Sequence, residues 1–568
     1  MSTDPYVPGV GTDAATVEHI ALDLDVRLAA NRVSGTAVLR VRLTKQSRRI
    51  ELDLYRLRVS RVDAVVDGRA VASSFTQPGR APSRLVVDLD ESRPEGTLVE
   101  LTVVYAGTPT LRRSPWGTIG WEELTDGVLV AGQPHGASTW LPCVDSPTSR
   151  STAEITLTCD AGYLPVANGV GAPVRTRGSR VTWRWRLDQP VPAYLLSVQI
   201  GRYRLVDAAP PAEGLPPLRL VVSPRTEQRA LRALAPQPAM MATFIDAYGP
   251  YPFEDYTAVV ADEELEIPLE AASMSLFGTN HLDGSWESER LIAHEMSHQW
   301  FGNAVTLGRW SDLWLHEGFA CWSEWLWAEA SGRSSITSMA RRAWQKLAAH
   351  PVEQALAEPG PEEMFEDWVY KRGALTVEAL RHLLGTDLFG SMLRAWVREH
   401  RFGTVDSLGL RTHVHAWAPH AGVSRAQVDE LFDAWTLRPE LPRALSRLLD
   451  RTFAKRPHER PTADALRRAE GHGTQPLDKA DQHPVAALSV VHQHRGQQGF
   501  ALGSGRDIVR LGIEAETHVA LGHADPQRGV AELLGFGGGP VSDDIGVEKA
   551  GQGGLPDKGV SVRSEPGF

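Results

Sequence analysis

The sequence predicts an α+β multidomain protein with an N-terminal antiparallel β-sandwich, a mainly α-helical second domain and a largely disordered C-terminal tail. Segments that alternate apolar and polar residues come first, and segments with helical spacing follow them. The last 98 residues contain 19 of the 51 glycines and no Trp, Tyr or Cys, so they offer little material for a core.

The predicted β-sandwich covers residues 18–206, after an N-terminal arm at 1–17. Alternation is clear in VEHIALDLDVRL, AVLRVRL, RIELDL, RLVVDL and LVELTVVY, with turn signals such as VDGRA between them. Several such strands joined by short turns are typical of an antiparallel sandwich. YLLSVQIGRYRLV is the last predicted stretch, and the proline-rich AAPPAEGLPP marks a domain boundary.

Residues 215–442 are predicted to form the second domain. After the strand LRLVV, helical spacing appears in ESERLIAHEMSHQWFGN, in DLWLHEGFACWSEWLWAEASG and in KRGALTVEALRHLLG. Asp312 is a predicted N-cap of the second helix, and Gly385 ends the third.

The chain beyond this domain is predicted in two parts. Residues 443–470 keep a helical pattern, and LLDRTFAKRPHERPTADALRRA resembles the last helix of a protein-kinase C-lobe. A glycine-rich nucleotide loop and a kinase catalytic loop are absent from the sequence, so kinase activity is not predicted. Residues 471–568 are predicted to be mostly disordered.

The composition excludes several classes of protein. Hydrophobic residues make up 42% and charged residues 23%, as in ordinary soluble proteins. The net charge of -11 argues against general affinity for nucleic acid or an anionic membrane. The N-terminus lacks the features of a secretory signal, and three cysteines are too few for a disulfide framework. We therefore expect a cytoplasmic monomer with no nucleic-acid or membrane partner.

The stretch HEMSH has the spacing of a metal site. His294 and His298 are four residues apart and share one face of a helix, so both imidazoles can reach one ion. Glu295 can then act as general base on a water that the metal activates. Because this motif also recurs by chance, it leaves open a helix with two purely structural histidines.

A third ligand lies in the next predicted helix. Eighteen residues separate His298 from Glu317 in WLHEGFA. The flanking WSDLW and GFACW are apolar, so the helix should be buried, and a buried carboxylate needs a partner. Two histidines, one glutamate and a water complete a catalytic zinc site, and we expect one zinc ion per chain.

The long stretch HEMSHQWFGNAVT, followed by WSDLWLHEGFACWSEW, resembles the aminopeptidase N-like zinc aminopeptidases. These are gluzincins with an HExxH-x18-E motif, and the short bacterial members are the most similar. The resemblance covers residues 5–442. It implies a saddle-like β domain, a thermolysin-like catalytic domain and removal of N-terminal residues from peptides with a free N-terminus.

The resemblance also implies a site for the substrate's amino group. The family has a Gly-x-Met-Glu-Asn motif whose glutamate binds that group. Glu270, in IPLEAAS, lies 24 residues before His294 and matches this glutamate. Ile267, Leu269 and Ala271 replace the usual glycine, methionine and asparagine, while the carboxylate is kept.

Two further residues take roles from the resemblance. Tyr370, in VYKRG, matches the tyrosine that stabilises the oxyanion, and Gln133, in AGQPHGA, matches a glutamine that holds the substrate's amino end. Glu324 lies seven residues after Glu317 on the same helix face, so it is a candidate partner for a zinc histidine, with a solvated or salt-bridged carboxylate as the alternative. His316 stands where the family often has asparagine, and no ligand role is predicted for it.

Two other functions remain open. A thermolysin-like endopeptidase would use the same zinc motif, although Glu270 argues against it. A catalytically silent binding protein on the same fold is the second alternative. The presence of His294, Glu295, His298 and Glu317 argues against silence.

Overall fold

A computed structural model describes residues 4–80 and 83–443 of the chain. It confirms the predicted order of a β-rich domain followed by a mainly helical one. The tail predicted at 471–568 lies outside the described residues, as does all but the first residue of the kinase-like segment at 443–470. The predicted domain limits stay predictions.

Strands build the N-terminal domain between residues 15 and 201. They are β1 (Ala15–Arg27), β2 (Arg32–Leu43), β3 (Ser47–Asp53), β4 (Arg58–Val66), β5 (Arg69–Val71), β6 (Ser73–Thr76), β7 (Arg84–Arg93), β8 (Leu98–Gly107), β9 (Arg112–Ser114), β10 (Gly117–Leu124), β11 (Gly127–Ala131), β12 (Arg150–Asp160), β13 (Leu164–Ala167), β14 (Val170–Arg177), β15 (Arg180–Pro192) and β16 (Val198–Gly201). They form an eight-stranded sheet in the order β14-β15-β12-β1-β2-β8-β4-β5, a five-stranded sheet β13-β16-β11-β10-β9 and a three-stranded sheet β3-β7-β6.

The alternation predicted from the sequence decides which side chains enter the core. In β1, Leu22, Leu24 and Val26 are buried, whereas Asp23 is exposed and Asp25 is partly exposed. One pairing differs from a wholly antiparallel sheet, because β1 and β12 run parallel. A parallel pair needs a long crossover, and the chain between these two strands supplies it.

The second domain combines a mixed sheet with helices. Its strands are β17 (Arg204–Asp207), β18 (Leu218–Val222), β19 (Tyr256–Val260), β20 (Leu269–Ala271), β21 (Met274–Phe277), β22 (Val305–Leu307) and β23 (Gly403–Val405). Its α-helices are α1 (Glu227–Ala233), α2 (Gln237–Tyr248), α3 (Trp286–Ser297), α4 (Trp314–Ala330), α5 (Ile336–Ala349), α6 (Asp367–Leu384), α7 (Thr386–His400), α8 (Ser407–Trp417) and α9 (Arg425–Phe432). The sheet order β17-β18-β19-β21-β20 leaves β20 at an edge. No helix within the described ranges is both long enough and apolar enough to cross a membrane.

Helix α4 is buried along most of its length and begins differently from the prediction. Leu313, not Asp312, is its N-cap, because a 3-10 turn at Trp310–Asp312 already precedes the helix. The Asp312 carboxylate instead accepts hydrogen bonds from the backbone N–H and the hydroxyl of Ser407. Gly385 ends α6 at φ +81°, in the left-handed region, as predicted.

The two domains are joined beside α3 by Arg150 on β12. Its guanidinium donates hydrogen bonds to the Pro190 carbonyl on β15 of the same sheet. In the second domain it donates to the carbonyls of Ala304 and Gly403 and to the hydroxyl of Thr306. These contacts tie the eight-stranded sheet to the chain that follows α3.

Two glycines bring α4 and α6 into close contact. A Cβ atom added to Gly318 would lie 2.7 Å from the backbone of Gly373, which is closer than Cβ atoms approach other non-bonded atoms in real structures. Glu317 and Tyr370 occupy neighbouring positions on the same two helices. The glycine contact therefore allows the backbones of α4 and α6 to lie this close beside the two side chains.

The change Gly318→Ala is expected to lower the free energy of unfolding by about 1–3 kcal/mol, because the extra methyl group overpacks a backbone contact. Thermal or urea denaturation measures this loss. Gly390→Ala in α7 is the control, since the added Cβ would meet only the Arg394 side chain, at 3.5 Å. Alanine there should be neutral or stabilise the helix by up to about 1 kcal/mol. Equal stability of the Gly318 variant and the unchanged protein would contradict the close helix contact.

Candidate active site

Helix α3 positions two imidazoles at its C-terminal end. Ser285 caps its start by accepting a hydrogen bond from the Ser288 N–H. His294 and His298 are both buried, and their ring centroids are 4.8 Å apart. The Nδ1 atom of His298 lies 2.9 Å from the Phe301 carbonyl. This contact leaves Nε2 of His298 to face the interior of the site.

Glu317, in the first turn of α4, meets both imidazoles. Its Oε2 lies 3.2 Å from Nε2 of His294 and 3.4 Å from Nε2 of His298. Burial opposes ionisation of this carboxyl, but the two imidazoles outweigh it and lower its pKa. One ligand atom from each residue lies within 4.8 Å of the others. Two histidines and one glutamate are the donor set of a catalytic zinc site.

Glu295 provides the test of whether this pocket fits a metal and its water. Neither of its carboxylate oxygens has a hydrogen-bond partner among the described residues, although both are buried. Burial raises the pKa of this carboxyl. Glu270 and Glu317 add two more carboxylates nearby, a concentration of negative charge that a divalent cation neutralises. The residues present therefore fit a zinc ion.

The structure brings Glu270 and Gln133 to the same pocket from two different domains. Glu270 lies on the edge strand β20, and its Oε1 accepts a hydrogen bond of 2.6 Å from Nε2 of Gln133. Ligand atoms of Glu270, Glu295 and His298 lie within 4.8 Å of one another. A carboxylate with a polar neighbour thus stands directly beside the candidate metal site.

The backbone around Glu270 is held despite the altered motif. The Ala271 carbonyl accepts hydrogen bonds from the side-chain amides of Gln299, at 3.1 Å, and Asn303, at 2.9 Å. The Ser273 N–H donates to Oε1 of Gln299 at 2.9 Å. Because these contacts use backbone atoms of the IPLEAAS stretch, they do not depend on the side chains that differ from the family pattern.

Tyr370 packs against the candidate metal site from α6. Its ring is buried and lies nearly parallel to that of His294, with centroids 6.0 Å apart and an angle of 22°. Burial and the carboxylates of Glu317 and Glu270 raise the pKa of the Tyr370 phenol well above its usual value. The phenol therefore stays protonated at neutral pH and can donate a hydrogen bond.

Glu324 has both of the partners that the sequence left as alternatives. Its Oε1 lies 2.9 Å from Nδ1 of His294, and its Oε2 forms a salt bridge of 3.1 Å with Arg290. Arg290 was not predicted from the sequence. Its position one helical turn before His294 was the signal that could have found it.

Among the described residues, His316 belongs to neither group of possible metal ligands. Its Nε2 accepts a hydrogen bond of 2.8 Å from the Leu307 N–H. Burial lowers the pKa of this imidazole to about 3, so it is neutral. The absence of a ligand role for His316 stays a prediction.

Comparison with known proteins gives two family matches that cover the two domains. Residues 16–195 match the peptidase M1 N-terminal domain, and residues 237–435 match the peptidase family M1 domain. The chain is also similar to aminopeptidase M1 of Arabidopsis thaliana, with 23% identity over 56% of this chain and 37% of that protein. With aminopeptidase B of Homo sapiens it shares 24% identity, over 66% of this chain and 57% of that protein.

Two solved structures match this chain over nearly their whole length, unlike the curated relatives. The M1 zinc metallopeptidase from Deinococcus radiodurans has 29% identity and a TM-score of 0.68, covering 77% of this chain and 98% of that one. A variant of that metallopeptidase, solved with the substrate Tyr-Ser-Ala, matches with a TM-score of 0.67 at 28% identity and the same coverage of both chains. The chain spans only 37% to 57% of the length of the first three curated relatives.

Proposed function

Since this chain belongs to peptidase family M1, the aminopeptidase N-like zinc metallopeptidases, we propose that it is a zinc-dependent aminopeptidase. One observation carries the proposal. The Glu270 carboxylate, hydrogen-bonded to Gln133, stands beside the pocket formed by His294, His298 and Glu317. A carboxylate at this position can bind the ammonium group of a peptide.

The substrate's amino end is bound by charge and by position. The α-ammonium group pairs with Glu270, while the side-chain oxygen of Gln133 accepts a second hydrogen bond. Because Glu270 lies next to the metal-binding residues, only a short piece of chain fits between the ammonium and the scissile bond. This distance allows release of one N-terminal residue and fixes the carbonyl for attack.

The chemistry uses groups on three helices. His294, His298 and Glu317 would hold zinc, which supplies a Lewis acid for the carbonyl and for the attacking water when bound. Glu295 takes the proton of that water and passes it to the leaving amine. The Tyr370 phenol donates a hydrogen bond to the oxyanion that develops on the carbonyl oxygen.

The remaining sequence predictions form part of the same proposal. We propose peptides with a free N-terminus as substrates, a single zinc ion per chain, a monomer, a cytoplasmic location and no nucleic-acid partner. The net charge of -11 supports the last of these. Light scattering after size-exclusion chromatography measures the oligomeric state directly.

The activity is tested with Tyr-Ser-Ala, the tripeptide found in the Deinococcus structure, beside its N-acetylated form. We expect cleavage of the free tripeptide to tyrosine and Ser-Ala, and no cleavage of the blocked one. Mass spectrometry of the products identifies the bond that is cut. The change Glu270→Ala should raise KM strongly for the free peptide, because the ammonium loses its only proposed counter-charge.

The matched control is Glu264→Gln, which removes an exposed carboxylate from the same segment and should leave KM unchanged. Cleavage of acetylated Tyr-Ser-Ala at a rate similar to the free peptide would contradict the proposal and indicate an endopeptidase. Bound zinc without cleavage of either form, or of other free peptides, would indicate a silent binding protein.

A further inference from the structure

One carboxylate bridges the candidate metal site to a buried arginine. Arg290 lies on α3, one turn before His294, and only 6% of its surface is exposed. Its Nη1 is 3.1 Å from Oε2 of Glu324, which is itself buried on α4. The other oxygen of that carboxylate lies 2.9 Å from Nδ1 of His294. The guanidinium, the carboxylate and the imidazole thus form a continuous series of polar contacts.

A second cation, Lys371, lies near these three groups. Lys371, on α6, is 3.2 Å from the Cys321 sulfur and 3.7 Å from the Asp367 carboxylate. Arg290 is in direct contact with the Glu324 carboxylate, whereas the contacts of Lys371 described here are with Cys321 and Asp367.

The orientation of the His294 ring depends on the hydrogen bond between its Nδ1 and the Glu324 carboxylate. An imidazole can offer Nε2 to a metal only when its proton is on Nδ1, and a hydrogen bond from Nδ1 to a carboxylate selects that tautomer. A carboxylate on a flexible side chain needs its second oxygen fixed as well. The guanidinium of arginine is planar and rigid, so a contact with it fixes direction better than a contact with lysine.

We propose that Arg290 is a positioning residue for the metal site, which acts through Glu324 to keep Nε2 of His294 aimed at the ion. This inference rests on the proposed zinc site. It predicts an effect on metal affinity, which can be measured whether or not the protein cleaves peptides.

The change Arg290→Gln is expected to weaken zinc affinity by about 10–100-fold, the usual cost of losing a partner behind a metal ligand. Competition with a chromophoric chelator at fixed pH measures the zinc Kd, and the melting temperature of the metal-free protein reports the fold. Arg290→Lys keeps the charge but lacks the planar, rigid guanidinium, so the zinc affinity of this variant should be intermediate. If Arg290→Gln does not fold, the lysine variant provides the test.

Arg333→Gln is the matched control. The Arg333 side chain is only 3% exposed and forms a salt bridge of 2.8 Å with Glu289 on α3, which is not one of the candidate ligands. This variant should lose stability but keep the zinc Kd. The double variant Arg290→Gln/Glu324→Gln should bind zinc no more weakly than Glu324→Gln alone, because Arg290 acts through that carboxylate.

The possible results separate the inference from the proposed function. An unchanged zinc Kd in the folded Arg290 variants would overturn the inference, and so would equal weakening in the Arg333 control. Additive losses in the double variant would also contradict an action through Glu324. If the unchanged protein binds zinc but cleaves no peptide, the proposed function fails while the affinity series still tests Arg290. Absence of zinc binding in the unchanged protein would overturn both.

Discussion

Replacing Glu295 with glutamine is expected to lower kcat by a factor of about 10²–10⁴, the usual contribution of a general base. Glutamine has nearly the same shape, but it cannot take a proton from the attacking water. The two carboxylate oxygens of Glu295 make no hydrogen bond within the described part of the chain, so the substitution breaks no such contact. Steady-state kinetics on Tyr-Ser-Ala measures the loss.

Zinc content decides how this result is interpreted. Glu295 lies with Glu270 and His298 in a second group of possible ligand atoms within 4.8 Å. If Glu295 acts as a base and not as a ligand, the glutamine variant should keep about as much zinc as the unchanged protein. Near-normal kcat would contradict the proposed role, and loss of zinc would make Glu295 a ligand.

The change Glu317→Gln is expected to remove zinc and activity together. The carboxylate lies between the two imidazoles, and an amide oxygen is a weaker ligand without negative charge. The zinc Kd should rise by more than the roughly 10–100-fold that the loss of an outer partner costs. Chelator competition measures this Kd, and added zinc should restore part of the activity.

Glu329→Gln serves as the control on the same helix. Glu329 is exposed near the end of α4, where its carboxylate accepts a hydrogen bond from the Ile336 N–H, and glutamine can accept the same bond. Its zinc Kd and kcat should not change. Full zinc binding by the Glu317 variant would contradict the assignment of this residue as a ligand.

The candidate metal ligands could be predicted because their spacing is local. His294 and His298 share a helix face by the geometry of the α-helix alone, and Glu317 follows in a segment whose apolar neighbours predict burial. Strand alternation in β1 likewise follows from neighbouring residues. Glu270, Gln133 and Tyr370 needed the resemblance to a family, since their spacing in the sequence says nothing about their proximity.

Other features depended on which segments pack together. The contact between Asp312 and Ser407 replaced the predicted helix cap, and the anchoring of Ala271 by Gln299 and Asn303 could not be seen in the motif itself. The parallel pairing of β1 with β12 also joins segments far apart in the chain.

The sequence by itself determined the order of the two domains, the helix that presents HEMSH and the candidate donor set for zinc. Only the tertiary structure decided that Arg290 reaches Glu324 and that Gln133 reaches Glu270 across the two domains. The physical reason is that helical and strand periodicity are set by neighbours a few residues apart. Contacts between distant side chains exist only after the helices and sheets have packed, and their partners are chosen by that packing.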